Sequence, residues 1–227
     1  LRDELGIRDE DRMEIPQFED ELDTFHEQIK VVIEEKVPVC SFTFGIPSAE
    51  VIRELKQHNS ILRGTATTVE EAIEVEKGGM DIVIVQGSEA GGHRGSFLLH
   101  AQESLIGLMS LIPQTVDQVN IPVVAAGGIM DGRGLMASVC LGASGVQMGT
   151  AFLTTSESGA PAIQKEEILY AHEDQTVLTR AFSGKWARGI KNKYISEMQQ
   201  HEATLPEFPV QNALTKGIRS ASSSQKN

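Results

Sequence analysis

The stretch DIVIVQGSEAGGHRG, residues Asp81 to Gly95, joins a strand to a loop suited to ligand contact. Ile82 to Val85 are four consecutive apolar residues with no wet face, as a strand buried within a parallel sheet requires. The strand gives way to Gln86, Ser88, Glu89 and His93 set among Gly87, Gly91, Gly92 and Gly95. Glycines let a backbone approach a ligand closely, so His93 is presented where it can act. Glu89 reads as a carboxylate accepting loop N–H groups rather than as a second acid or base.

The same plan of strand, turn and helix recurs on either side. Upstream, VPVCSFTF (Val37 to Phe44) predicts a strand, Gly45-Ile46-Pro47-Ser48 a turn, and Ala49 to His58 a helix with Val51, Ile52 and Leu55 inward. Ile61 to Thr65 predicts a short strand. Thr68 and Glu71 fit a capping box opening a helix from Val69 to Lys77, which Gly78-Gly79 stops. Downstream, Leu105, Leu108, Leu111 and Ile112 share a helical face in Ser104 to Ile112, and Pro113 opens a second short helical segment ending near Asn120. IPVVAAGGI (Ile121 to Ile129) is another buried strand running into glycines. A helix from Gly132 to Leu141 ends at Gly142, and GVQMGTAF (Gly145 to Phe152) is the last strand of the series.

The flanks differ in character. Residues 1 to 36 mix acids and bases as a solvated connection, then become a helix from about Glu19 to Lys36 with Phe25, Ile29, Val32 and Ile33 on one stripe. Residues 37 to 195 hold the repeated units, and 196 to 227 form a C-terminal extension whose low-complexity end, Ser220 to Asn227, is expected to be disordered. The chain opens on Leu1, which leads to the expectation of a processed or incomplete polypeptide.

Thirty-two acids against twenty bases give a formal charge of -12 over 227 residues, and no Lys/Arg cluster tracks a phosphate backbone, which argues against a nucleic-acid partner. No apolar run approaches the roughly 20 residues of a spanning helix, and no signal-peptide pattern is present, so no membrane association is expected. Cys40 and Cys140 lie in apolar segments without metal-ligand spacing, which reads as reduced thiols in a cytoplasmic protein and gives metal binding no support.

Strands alternating with helices every 20 to 30 residues or so require parallel pairing through helical crossovers. Both an open doubly wound sheet and a (β/α)8 TIM barrel accommodate five such strands. Glycines decide between them. They mark three strand ends, at Gly87, Gly127-Gly128 and Gly149, and the last two belong to consecutive strands, as in the phosphate cup that follows strands 7 and 8 of a barrel. No G-x-G-x-x-G follows a strand and no G-x-x-x-x-G-K-[ST] occurs, which weakens the Rossmann and P-loop readings.

GSEAGGHRG at 87 to 95, AAGGI at 125 to 129, QMGTAFL at 147 to 153 and SGKWARGIKN at 183 to 192 together resemble the nitronate monooxygenase family, formerly 2-nitropropane dioxygenases. The resemblance runs from about Val31 to Arg219. It implies an FMN-dependent (β/α)8 barrel that oxidises alkyl nitronates with O2 to a carbonyl compound and nitrite, acting in detoxification. Family members carry three strands before the first one here, so the chain would hold the C-terminal five βα units. His93 would be the active-site histidine, accepting a proton from a nitroalkane or holding the anionic nitronate. Gln86 and Gly91 would contact the flavin, and Gly128 with Gln147, Met148, Gly149 and Thr150 would hold its phosphate. These roles suit the residues: histidine titrates near neutral pH, glycines expose N–H donors to phosphate, and the flavin supplies the redox chemistry.

Blander assignments stand beside these. Gly127-Gly128 could be tight packing, Gln147 and Met148 core filler at a strand end, and Trp186 and Arg188 either a border of the site or packing of their own segment. His26, His58, His100, His172 and His201 read as surface or structural. Two other functions fit the same loop: an NAD(P)H-dependent FMN reductase of the enoyl-acyl-carrier-protein reductase type, and a non-catalytic flavin- or phosphate-binding partial barrel.

Overall fold

The computed structural model describes the backbone of residues 18–225 and the side chains of residues 22–222. The charged connection expected at residues 1–17 lies outside them. The chain divides into two compact units, one of residues 22–151 and one that takes in everything from Phe152 onward.

The first unit contains helix α1 (Phe18–Glu34, its last residues from Leu22 on), then strand β1 (Val39–Phe42), helix α2 (Ala49–Gln57), strand β2 (Ile61–Ala66), helix α3 (Val69–Lys77) and strand β3 (Ile82–Gln86). After β3 come the two-residue strand β4 (Gly92–His93), helix α4 (Leu108–Val116), strand β5 (Val123–Ala126), helix α5 (Gly132–Cys140) and strand β6 (Gly145–Gln147). Five strands form one sheet in the order β1-β2-β3-β5-β6, and every pair in it is parallel. Each crossover therefore adds the next strand on the same side. A doubly wound sheet would reverse direction at a switch point, and this one does not.

Burial explains which residues became strand and which became helix. Val83, Ile84 and Val85 are buried in the middle of the sheet, as the unbroken apolar run of β3 requires. Helices α2, α3 and α4 lay Val51, Ile52, Leu55, Ala72, Val75, Leu111 and Ile112 onto that sheet, and Ile29 of α1 joins the same core. Gly64 of β2 lets α3 come close: an ideal Cβ there would stand 2.7 Å from a Val75 methyl.

Three local expectations change. Helix α4 starts at Leu108 rather than Ser104 and passes through Pro113 without breaking, so one helix replaces the two expected. Its start is fixed from outside, by the Glu89 carboxylate on the Leu108 N–H. The single N–H that Pro113 lacks is outweighed by burial of Leu108, Leu111, Ile112 and Thr115. Leu105, ahead of the helix, is exposed. The capping box at α3 is half formed: Thr68 accepts from the Glu71 N–H, but the Glu71 carboxylate turns back to the N–H and hydroxyl of Thr67 instead of the Thr68 N–H. The segment expected as strand from Gly145 to Phe152 is strand only to Gln147, and Thr150–Leu153 is a short helix, α6.

The second unit carries helix α7 (Ala162–Tyr170), the antiparallel hairpin of β7 (Thr176–Thr179) and β8 (Ala187–Ile190), helix α8 (Lys193–Met198) and helix α9 (Val210–Gln225). Helix α9 continues through Ser220–Gln225, where the sequence suggested disorder, and Arg219 anchors its course by donating to the carbonyl and side-chain oxygens of Asn212. Residues 226 and 227 lie outside the description. The SGKW stretch is packed within this unit. Gly184 has φ +83°, and a Cβ there would meet the backbone of Pro206 to Phe208 at 2.6 Å. Arg188 donates to the Thr176 hydroxyl across the hairpin.

No described helix is long and apolar enough to cross a membrane, and no group of three or more His, Cys, Asp or Glu among the described residues is placed to hold a metal. Both cysteines are free. Cys40 is half-buried, which pushes its thiol pKa up, while Cys140 is exposed.

Candidate active site

Parallel pairing puts the C-terminal ends of all five strands on one edge of the sheet, and the loops leaving that edge carry the residues singled out in the sequence. Register aligns them: Gln86 pairs with Ala126 and Ala126 with Gln147, so the last residues of β3, β5 and β6 form one row. The loop after β3, residues 87–95, touches the loops of the other four.

Its contacts begin with Gln86. The side-chain amide donates to the His93 carbonyl at 3.0 Å and accepts from the Gly95 N–H at 2.8 Å, which fixes the backbone that presents His93. Arg94, next to it, is buried to 5% exposure and points back under the loop. Its guanidinium donates to the carbonyls of Gln86 (2.6 Å), Gly87 (2.8 Å), Thr67 (3.4 Å) and Ser104. A planar fork with five N–H groups can tie several strand ends together in this way, and a lysine could not.

The remaining loops close around these two. Gly95 lies where a Cβ would meet the methyls of Thr65 and Thr43 at 2.9 and 3.1 Å, and those threonine hydroxyls stand 3.2 Å apart at the ends of β2 and β1. An ideal Cβ at Gly91 would stand 2.9 Å from the Thr150 hydroxyl oxygen, which brings two predicted site residues from different βα units together. Gly127 (φ +121°) and Gly128 (φ +66°) pack under Ala90 and Glu89, so the glycine pair serves tight loop packing as well as exposing backbone at Gly128. Glu89 caps α4, accepting from the Leu108 N–H at 2.9 and 3.1 Å. Fully buried Glu71 accepts from Thr67 on one oxygen and from the N–H groups of Phe97 (2.6 Å) and Leu98 (2.9 Å) on the other, which secures the chain just after the loop.

His93 itself is exposed, and its ring meets Phe44 with centroids 5.9 Å apart and planes at 80°. Gly149 is exposed, and a Cβ there would meet no atom within 4 Å. Gln147 is exposed at the tip of β6, while Met148 is partly buried and packs against the core. The other five histidines are exposed; His58 bonds only to its own helix, at the Glu54 carbonyl. Arg94, Phe44 and Glu71 were not singled out as site residues from sequence. Arg94 had one signal, its place inside GGHRG, and Phe44 another, its place ahead of the Gly45 turn.

An exposed imidazole on a pinned backbone, flanked by an aromatic ring and by glycine loops, can take up or release a proton and hold an anion. Comparison with known proteins gives this arrangement a context. The family model described as nitronate monooxygenase matches residues 6–227. A "Probable nitronate monooxygenase" of Staphylococcus haemolyticus (strain JCSC1435) is 60% identical over 202 residues, 88% of this chain and 57% of that protein. A protein of the same description from Staphylococcus aureus (strain MSSA476) is 57% identical over 85% of this chain and 55% of its own length. The chain thus spans little more than half the length of the curated relatives it matches. Among solved structures, nitroalkane oxidase from Streptomyces ansochromogenes superposes with a TM-score of 0.82 at 42% identity, covering 89% of this chain and 58% of that one. FabK from Thermotoga maritima gives 0.73 at 37% identity, over 86% and 60%.

Proposed function

The chain belongs to the nitronate monooxygenase family, and from that membership we propose that it is part of an FMN-dependent oxidoreductase that converts alkyl nitronates and O2 to a carbonyl compound and nitrite. The observation that carries this reading is the convergence of the 87–95 loop with the glycine loops of β5 and β6 beside an exposed His93.

The residues present fit an FMN phosphate. Gly128 in a left-handed conformation and Gly149, whose missing side chain leaves open space, expose backbone N–H groups of the kind that cradle phosphate. Thr150 adds a hydroxyl beside Gly91, and Gln147 lies in the same row of strand ends. A flavin held there would supply the redox chemistry that nitronate oxidation by O2 needs. The chain's own contribution is different. Gln86 holds the His93 carbonyl, Arg94 ties the loop to the Gln86 carbonyl, and His93 would take the α-proton of a nitroalkane or pair with the anionic nitronate. Gly91, lacking a Cβ, lets the loop lie against Thr150.

The five parallel units are read as the C-terminal part of a (β/α)8 barrel. Sequential strand order supports this, because edge strands β1 and β6 each present a row of backbone groups to which a further strand can be added.

The test is direct. Purified protein should show a flavin spectrum, and heat should release FMN. His93→Ala should lower nitronate turnover roughly 10²-fold if the imidazole is a general base. Rapid bleaching of the flavin by NADH would instead favour the reductase, turnover unchanged in His93→Ala would remove His93 as the general base, and bound flavin without any turnover would leave only a binding role.

A further inference from the structure

Phe44 belongs to none of the motifs used above, yet its placement is unusual in three ways. It holds φ +72° in a conformation that residues with a side chain rarely adopt. It leads into Gly45 at φ +122°, so two left-handed residues turn the chain sharply at the C-terminal end of β1, on the edge where the site loops gather. The residue keeps 40% of its surface exposed, whereas Phe42 and Phe97 nearby pack against the core. A bulky residue at an unfavourable backbone angle, with its ring left partly in solvent, gains little for stability, and such residues cluster at functional sites.

The ring goes to His93. The two rings meet edge to face at 5.9 Å, and the His93 backbone is itself held by Gln86. An imidazole that can take a proton or pair with an anion therefore stands beside an apolar aromatic surface. A ligand matching both has an anionic head and a hydrocarbon tail.

We infer that Phe44 is the apolar wall of the substrate site: its ring packs against the alkyl chain of a nitronate whose anionic head lies at His93, and so selects apolar alkyl nitronates over carboxylated ones. The assignment rests on the reading of His93 given above.

Phe44→Gly removes the ring while suiting the left-handed backbone, and Phe44→Leu restores an apolar surface without aromaticity. The FMN-loaded protein is assayed with ethylnitronate, butyl-1-nitronate and a carboxylated nitronate of butyl length. Wild type should prefer butyl-1-nitronate, Phe44→Gly should lose about tenfold more in kcat/KM for it than for ethylnitronate, and Phe44→Leu should recover most of that difference. Independently of turnover, the His93 imidazole NMR resonances should move in Phe44→Gly as the ring current disappears. Equal losses at both chain lengths, no loss at either, or a wild-type preference for the carboxylated nitronate would overturn the assignment. Unmoved His93 resonances would overturn it as well. A wild type that turns over none of the nitronates would overturn the reading of the site itself, and the inference with it.

Discussion

A carboxylate removed entirely from water is tolerated only where donors satisfy its oxygens, and Glu71 meets that condition with four: the N–H and hydroxyl of Thr67 and the N–H groups of Phe97 and Leu98. Glu71→Ala would strand those donors and should cost about 3 kcal/mol, with amide exchange accelerated first at Phe97 and Leu98. Arg94 is the complementary case. Its guanidinium satisfies carbonyls from the ends of β2 and β3 and from Ser104 beneath the His93 loop. Arg94→Met keeps the volume but leaves those carbonyls without their donor, and the urea midpoint should fall by the equivalent of about 2–4 kcal/mol. Arg94→Lys should recover only part of that loss, because one ammonium cannot reach every carbonyl. Full recovery by lysine would mean that charge alone, without the fork, holds the loop.

At the scale of elements, helix α4 depends on a residue from another loop. Gly107 at its N-cap offers no side chain, and the Glu89 carboxylate caps Leu108 in its place, near the positive end of the helix dipole. Glu89→Ala should cost about 1 kcal/mol in thermal unfolding, and a larger effect would point to a role beyond the cap. Asp81, the first residue of the decisive stretch, joins three elements: it accepts from Lys56 of α2 and from the Leu62 N–H of β2 as β3 begins. Burial pushes its carboxyl pKa up, but Lys56 and the Leu62 N–H together outweigh that and leave it below the ordinary value. A depressed folded pKa stabilises above the unfolded value of about 3.9, and the benefit is lost as pH falls through the lower folded value. Asp81 is part-exposed, so the effect should stay below about 1 kcal/mol, and Asp81→Asn should flatten the acid limb of the urea midpoint against pH by that amount.

For the molecule as a whole, the proposed cofactor would contact loops from different βα units at once, so binding should be felt as global stability. FMN at about 100 times its Kd should add roughly 2.7 kcal/mol and raise Tm accordingly. Gly149→Asp puts a carboxylate into the open space proposed for the phosphate and should abolish that rise while leaving the Tm without flavin little changed. A rise that survives in this variant would move the phosphate away from Gly149.

Local chemistry was enough to read the alternation of five strands and their helices, because each strand is an apolar run and each boundary is marked by glycine, a cap or a turn. The runs at Ile82 to Val85 and Val123 to Ala126 and the glycines after them were legible for that reason, as was the acceptor role of Glu89, a carboxylate set in a glycine loop among backbone N–H groups. The residues expected at the site were named from glycine placement and family resemblance, and what the fold adds is their juxtaposition: Gly91 against Thr150, and Glu89 and Ala90 over Gly127 and Gly128. Sequence could not show that Pro113 would sit inside α4, because that depends on the distant Glu89 cap and on what the helix buries, and it did not separate the helix at Thr150 from the strand before it. Nor could it distinguish Arg94 from any loop arginine or Phe44 from any strand-end aromatic. Their importance lies in which carbonyls the guanidinium reaches and which ring the phenyl meets, and such long-range contacts exist only once parallel pairing has brought the five strand ends to one edge.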